Sequence, residues 1–320
     1  MLKQNRGSQE DLVAGSNNRV LVYDVGGSHI SAAVFDGESC SLSGVVSAGY
    51  PSEQTTETFL NVLDSLAANA MQGGPEVHGA SLAMPGPFDY DAGVSWIQHK
   101  LAYLYGVDLR RALAAHFGWP ASRVHFLNDA AAYLMGEVAA GAARGVCRVV
   151  GITLGTGVGS AFAVGGHVVR EGTGVPPGGE IWNVAYRGGI VEDQISTRAL
   201  QKSYRERTGQ EREVAAIAAA ATDDPRAAEV FCEFGRNLGM ALREVLSAFG
   251  PQAIVLGGGI ARSAHLFLPA AQGEIGDFAE LRISALGDHA PLVGAGAAWF
   301  ETRGEGLAVA RGSSASETQE

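Results

Sequence analysis

The strongest constraint on this chain is a pattern that occurs twice. Residues 20–36 read VLVYDVGGSHISAAVFD: an apolar run reaches Asp24, breaks on Gly26-Gly27 and resumes. Residues 147–164 repeat the arrangement, with CRVVGITL running into Gly-Thr-Gly-Val-Gly before SAFAV resumes at 160–164. Short apolar runs bounded by glycine read as strands joined through a tight turn. Two halves opening the same way predict a duplicated α/β fold, with two lobes and a cleft between them.

The segments around these turns fill out the lobes. Strands at 19–25 and 30–36 precede a weaker one at 41–48. In SEQTTETFLNVLDSLAANAMQ, helical spacing puts Phe59, Leu60, Leu63, Leu66 and Ala67 on one face. A strand at 77–84 ends at Pro85-Gly86-Pro87, a short helix falls near 108–117, and RVHFL (123–127) runs into Asn128-Asp129 and a helix. In the second half, Gly165-Gly166 is a two-residue hairpin turn. Residues 224–250 read as a long helix closed by a glycine, with Pro251 beyond. AIVLGGG (253–259) is a buried strand ending in glycines. The expected division is a tail at 1–18, an N-terminal lobe at 19–128, a C-terminal lobe at 129–302 and a tail at 303–320. The last helix, about 291–302, is placed to pack back on the N-terminal lobe.

Composition narrows the function. Hydrophobic residues make up 46% and charged residues 18%, a globular balance. A net charge of −11 argues against nucleic acid as a partner, because an acidic surface repels phosphate. Cys40, Cys147 and Cys232 lie far apart with no CxxC, which suits buried apolar side chains in a reducing compartment. The first residues are too polar for a signal peptide, and no apolar run has the length of a membrane span. The expectation is a cytoplasmic protein with no membrane or nucleic-acid partner.

Four glycine-marked turns follow apolar strands: Asp24-Val-Gly-Gly, Pro85-Gly-Pro, Gly155-Thr-Gly-Val-Gly and Gly257-Gly258-Gly259. Taken singly, each is what any strand end needing positive φ uses. None is a GxxxxGK[ST] phosphate loop, and GTGVGS lacks the spacing of a dinucleotide fingerprint. A glycine hairpin nevertheless lets backbone N–H groups approach an anion with no Cβ in the way. One such turn per lobe would clamp a polyphosphate, and Asp24 beside the first would hold the Mg2+ that accompanies a nucleotide. Asn128 before an alanine-rich helix reads as an ordinary N-cap. A carboxylate at the mouth of a cleft, such as Asp129, could also accept a proton from a substrate hydroxyl.

Taken in order, these pieces resemble the ROK family (repressors, open reading frames, sugar kinases), and especially its glucokinase-like members within the actin-like ATPase superfamily, whose fold is ribonuclease H-like. DVGGSHI is similar to the first phosphate motif, MPGPFD to the substrate loop and NDAAAYLMGE to the catalytic Asn-Asp helix. GITLGTGVGSAF is similar to the second phosphate motif, VLGGGIA to the adenosine motif and SALGDHAPLVGAGAAW to the closing helix. The resemblance covers about residues 19–300 and implies ATP-dependent phosphorylation of a sugar hydroxyl. It implies Asp129 as general base and Asp24 serving Mg2+, directly or through water. Gly26, Gly27, Ser28, Gly155, Thr156 and Gly157 would hold phosphates, with Gly257, Gly258 and Gly259 against adenosine. Asn128, Glu180, Asn183 and Glu192 would meet the sugar. A homodimer is the family expectation.

The chain departs from the family in residues 178–196. Glu180 matches the first residue of a Glu-x-x-His sugar motif, but Asn183 stands at the His position. The zinc-binding cysteine loop is missing, and no cysteine occurs between Cys147 and Cys232, so no zinc of the family type is expected. Trp182 and Tyr186 are candidates for replacing it by packing. His29 occupies a position that is often Lys, which exchanges a permanent cation for one mostly neutral at pH 7. The leading reading is a hexose or N-acylhexosamine kinase, with a polyphosphate donor as a variant. The alternative is a non-catalytic sugar- or nucleotide-binding sensor. A repressor is disfavoured, because the eighteen residues before the first strand are too few for a helix-turn-helix domain.

Overall fold

The computed structural model describes residues 18–304 apart from Ser52 and Pro75, so nearly all of the two expected tails lies outside the described residues. The first half supplies β1 (Arg19–Val25), β2 (His29–Asp36), β3 (Ser41–Gly49), α1 (Thr56–Met71) and β4 (Ala80–Met84). A small hairpin of β5 (Phe88–Asp89) and β6 (Val94–Ser95), then α2 (Leu109–Phe117), β7 (Val124–Asn128) and α3 (Asp129–Ala140), complete it. The sheet order is β3-β2-β1-β4-β7, antiparallel across β3, β2 and β1 and parallel across β1, β4 and β7.

The second half repeats this topology. β8 (Arg148–Leu154), β9 (Val158–Val164) and β10 (His167–Val169) form an antiparallel meander. A second small hairpin, β11 (Ala185–Tyr186) and β12 (Gly189–Ile190), leads into α4 (Glu192–Ile195), α5 (Thr197–Thr208), α6 (Val214–Ala220) and α7 (Pro225–Val245). β13 (Ala253–Gly257), α8 (Ala264–Ile275), β14 (Glu280–Ile283) and α9 (Ala290–Glu301) follow. This sheet runs β10-β9-β8-β13-β14, with β8, β13 and β14 parallel. The duplicated α/β architecture expected from the two glycine turns is therefore present.

Both sheets are covered on both faces, which is why their central strands read as unbroken apolar runs. On β1, Leu21, Tyr23 and Val25 face α1 and α2, packing with Phe59, Leu63 and Leu113. Val20 and Val22 face the other way, onto Leu292, Val293 and Trp299 of α9. In the second sheet, Val150, Ile152 and Leu154 pack with Phe231, Leu238 and Phe267 of α7 and α8, while Val149 meets Leu134 of α3. So α9 lies on the first sheet and α3 on the second, and the two helices pack on each other between them. That crossing is close because its contact residues are glycines. A Cβ on Gly294 would stand 1.7 Å from the Ala132 carbonyl oxygen, and one on Gly136 would stand 2.0 Å from that of Ala290.

Some boundaries differ from expectation. The strand expected over 77–84 is regular only from Ala80, because Gly79 is wedged between the Arg123 backbone and the Trp299 ring. The helix expected to reach 250 ends at Val245, since the Phe249 carbonyl is captured by the Arg148 guanidinium. At the position of the expected metal loop, β11 and β12 turn on Arg187 and Gly188, both with positive φ. Tyr186 is 2% exposed and joins the C-terminal core, whereas Trp182 is 39% exposed and does not. Of the two candidates for packing in place of zinc, Tyr186 is the one in the core.

Two outcomes follow from this packing. Gly294→Ala forces the interlobe helices apart, and chemical denaturation should show a loss of at least about 1–3 kcal/mol. Tyr186→Ala should cost about 3 kcal/mol, while excess chelator without magnesium or nucleotide should leave the wild-type melting temperature unchanged.

Candidate active site

Strand register brings the candidate residues to common edges. Asp24 pairs with Ala83, and Met84 with Asn128, so Asp24, the 85–87 turn and Asn128-Asp129 emerge at one edge of the first sheet. Gly257 pairs with Thr153, which sets the 155–157 and 257–259 turns at the matching edge of the second. The carboxyl ends of parallel strands are where open α/β sheets bind ligands. A cleft of about 310 Å3 opens there, lined by Gly86, Tyr90 and Asn128 from the first half and by Ser160, Arg170 and Glu180 from the second.

The start of α3 is tightly organised. Asn128 is the helix N-cap, its Oδ1 accepting from the Ala131 N–H at 3.1 Å. Its Nδ2 donates to the Tyr90 hydroxyl at 3.2 Å, and that hydroxyl donates to the Met84 carbonyl at 3.2 Å. The Asn128 side chain also hydrogen-bonds the Asp129 carboxylate, which opposes the rise of its pKa. Asp129, one residue on, accepts the Ala130 N–H at 2.8 Å. Burial raises its pKa, the Glu180 charge adds to the rise, and the Ala130 N–H opposes it. The Arg170 guanidinium reaches across the cleft to lie 5.3 Å from the centre of the Tyr90 ring.

Asp24 sits deeper. Burial, followed by the charges of Asp129 and Asp288, pushes its pKa up to about 7. Desolvation and like charge both disfavour the carboxylate, although Asp288 contributes from an exposed position where it is paired with Arg262 at 2.5 Å. Such an arrangement suits a divalent cation bound by oxygen, which would reverse the penalty.

The two phosphate-turn candidates differ in construction. In the first, the Gly26 N–H donates to the His29 carbonyl at 3.0 Å and the Tyr50 hydroxyl donates to the Gly26 carbonyl at 2.6 Å. Ser28 and His29 are exposed, with Ser28 Oγ 3.1 Å from His29 Nδ1. In the second, the Gly155 carbonyl accepts from Thr197 N–H at 2.9 Å, closing the 155–157 turn against α5. Glu192 Oε2 accepts the Val158 N–H at 3.1 Å, and its other oxygen pairs with Arg198 at 2.8 Å. Glu192, expected at the sugar, thus braces the Gly155-Thr156-Gly157 turn. In the third turn, Gly257 is required by the Tyr133 ring, and Gly258, at φ +82, by the Leu154 backbone. Gly259 has open space around it.

The remaining candidates separate. Ser160 Oγ donates to the Gly179 carbonyl at 2.7 Å and accepts from the Ile181 N–H at 3.0 Å, which fixes Glu180 at the cleft wall. Glu180 accepts from Trp182 Nε1 at 2.9 Å. Asn183 is exposed and is not among the residues lining the cleft. Four residues here escaped the sequence reading. Tyr90 directly follows PGPFD and Asp288 lies in SALGDHAP, so both had a positional signal. Arg170 and Lys100 had none beyond lying near a hairpin and beside His99.

The chain is similar in sequence and fold to known proteins. The chain is 27% identical over 289 residues to the bifunctional enzyme NanE/NanK of Brucella melitensis, a match covering 88% of this chain and 50% of that protein. It therefore spans about half the length of that curated relative. The crystal structure of a ROK hexokinase from Thermus thermophilus superposes with TM-score 0.75 at 27% identity, covering 90% of this chain and 100% of that one. A ROK glucokinase from Streptomyces griseus, solved with glucose and AMPPNP, gives TM-score 0.71 at 26% identity, covering 87% and 98%. The two lobes form the actin-like ATPase fold of these kinases. The ROK family model matches residues 20–302, and the chain belongs to the ROK family.

Proposed function

We propose that the protein is an ATP-dependent sugar kinase that transfers the γ-phosphoryl group of MgATP to a hexose hydroxyl. The observation that carries this reading is Asp129: a buried carboxylate of raised pKa, opening a capped helix beside a cleft bounded by both lobes. A base whose pKa moves toward the working pH accepts a proton more readily in the transition state.

In this reading the sugar hydroxyl gives its proton to Asp129 as its oxygen bonds to the γ-phosphorus. The bond from that phosphorus to the β,γ-bridging oxygen breaks, and ADP leaves with the electron pair. Asn128 and Glu180 orient the sugar from opposite walls of the cleft. Asn183 and Glu192 take no part in sugar contact, since one faces solvent and the other is tied to Val158 and Arg198. Gly26, Gly27 and Ser28 hold phosphate from one lobe, Gly155, Thr156 and Gly157 from the other, and Gly259 offers an open surface to adenosine. Asp24 would hold Mg2+, directly or through water, and the cation would neutralise charge on the β- and γ-phosphates.

Asp129→Asn should lower sugar-dependent ADP release roughly 10²- to 10⁴-fold while leaving sugar binding within a few-fold. The sugar panel is glucose, mannose, fructose, N-acetylglucosamine, N-acetylmannosamine and allose. Binding of a sugar without turnover on any of them would replace the kinase with a sensor.

The raised pKa of Asp24 gives a second test. A carboxyl with a folded pKa of about 7 and an ordinary unfolded value binds its proton more tightly when folded, so stability falls as pH rises from about 4 to about 7. Asp24→Asn removes that penalty. Without Mg2+ it should melt above wild type at pH 8 and alongside it at pH 4, yet lose Mg2+-dependent activity. Equal melting temperatures across the range would contradict the assignment.

A further inference from the structure

We propose that Lys100 is the cation that holds the γ-phosphate at the first glycine turn, an assignment that rests on the kinase reading of the same cleft. Residues 24–31 carry no lysine or arginine. The titratable cation there is the imidazole of His29, which shares a hydrogen bond with Ser28 Oγ at 3.1 Å. A γ-phosphate on this turn would meet backbone N–H groups but no permanent positive charge from the turn itself, although phosphoryl transfer is accelerated chiefly by fixed charge around the migrating group.

Lys100 supplies that charge from a different part of the fold. It lies in the segment between β6 and α2, and its side chain is laid over Gly27. A Cβ on Gly27 would stand 2.5 Å from Lys100 Cδ, 3.0 Å from Cε and 2.8 Å from Nζ. The lysine thus fills the space that a side chain on Gly27 would take, which sets its ammonium against the turn. Its backbone adopts φ +57, a conformation non-glycine residues avoid, and the adjoining Leu101 is fully buried. Leu101 N–H donates to the His99 carbonyl at 2.6 Å, closing the bend that presents the lysine. Among the described residues Lys100 has no ion pair, so its ammonium is not already committed to a carboxylate. The Gly26 N–H is committed to the His29 carbonyl, so the geometry fits an anionic oxygen held between the ammonium and the Gly27 backbone.

The test compares wild type with Lys100→Met and Lys100→Arg, measuring MgATP and MgADP affinity by displacement of a fluorescent nucleotide, sugar affinity by calorimetry, and kcat. The γ-phosphate distinguishes the two nucleotides. Lys100→Met should weaken MgATP by roughly tenfold or more and leave MgADP unchanged, with kcat down roughly 10²-fold. Lys100→Arg should recover most of both. Equal loss for the two nucleotides, or loss of sugar affinity with the ATP-to-ADP ratio intact, overturns the assignment, as does unchanged kcat in Lys100→Met. If wild type turns over no sugar yet prefers ATP to ADP through Lys100, the kinase reading fails and the assignment stands. If wild type does not bind nucleotide, both fail.

Discussion

The crossing of α3 and α9 is the contact on which the rest of this structure depends. Each helix belongs to a different sheet: α9 is packed on Val20, Val22 and Phe35, and α3 on Val149, Ala161 and Val255. They meet at Gly136 and Gly294, where any side chain would run into backbone carbonyls. Interiors are packed at near-crystalline density, so a contact made through glycine and backbone yields little to deformation. The lobes are therefore joined along a pair of helices and not through a flexible hinge of loops. Because Asp129 opens α3, its distance to both sheet edges is set by this crossing.

A second constraint fixes the far end of the same helix. Glu137 on α3 is fully buried and, among the described residues, makes no ion pair. A buried charge is costly unless its oxygens are satisfied. Here Ser284 Oγ donates at 2.5 Å, Ala142 N–H at 2.7 Å, Leu286 N–H at 3.1 Å and Ala285 N–H at 3.2 Å. The carboxylate thus binds the turn before α9 to the end of α3. That turn leads to Asp288, one of the two acids that crowd Asp24. A network satisfied at every oxygen holds one geometry, and losing any donor leaves the charge partly bare. Glu137 lies in NDAAAYLMGE, and nothing in that stretch of sequence marks it as buried.

The sequence was most legible where local chemistry and topology coincide. Two strand–glycine–strand patterns gave both meanders, and Asp129 after a capping Asn128 gave the start of α3. Trouble came where one residue type serves two ends. Glu192 followed a plausible sugar-binding spacing, and its carboxylate accepts the Val158 N–H and pairs with the Arg198 guanidinium. Gly257 and Gly258 looked like a ligand surface, and the Tyr133 ring and the Leu154 backbone give a separate packing reason for glycine there. Lys100 and Arg170 were illegible for a different reason. Each reaches its site across many residues of chain, and no period or turn signal reports which surface a long cationic side chain will cover.

The acids at the cleft also bear on how the protein balances stability against ligand binding. In a chain of net charge −11, gathering Asp24, Asp129, Glu180 and Asp288 around one opening costs folding free energy, and Asp24 registers that cost by holding its proton up to about neutrality. Glu180 and Asp288 are exposed, where solvent and salt screen them, and the cost is felt most at the buried carboxyls of Asp24 and Asp129. A ligand that brings positive charge to Asp24 must displace that proton, so binding and deprotonation there are one linked event. Near neutral pH the exchange is almost balanced: the proton is held loosely enough to leave and tightly enough to spare the empty cleft its full repulsion. A carboxylate of ordinary pKa at the same place would bind without pH dependence at neutrality. Asp24 instead ties the charge state of the cleft to its occupancy, while Glu137, with its donors already in place, keeps the surrounding backbone from relaxing the crowding away.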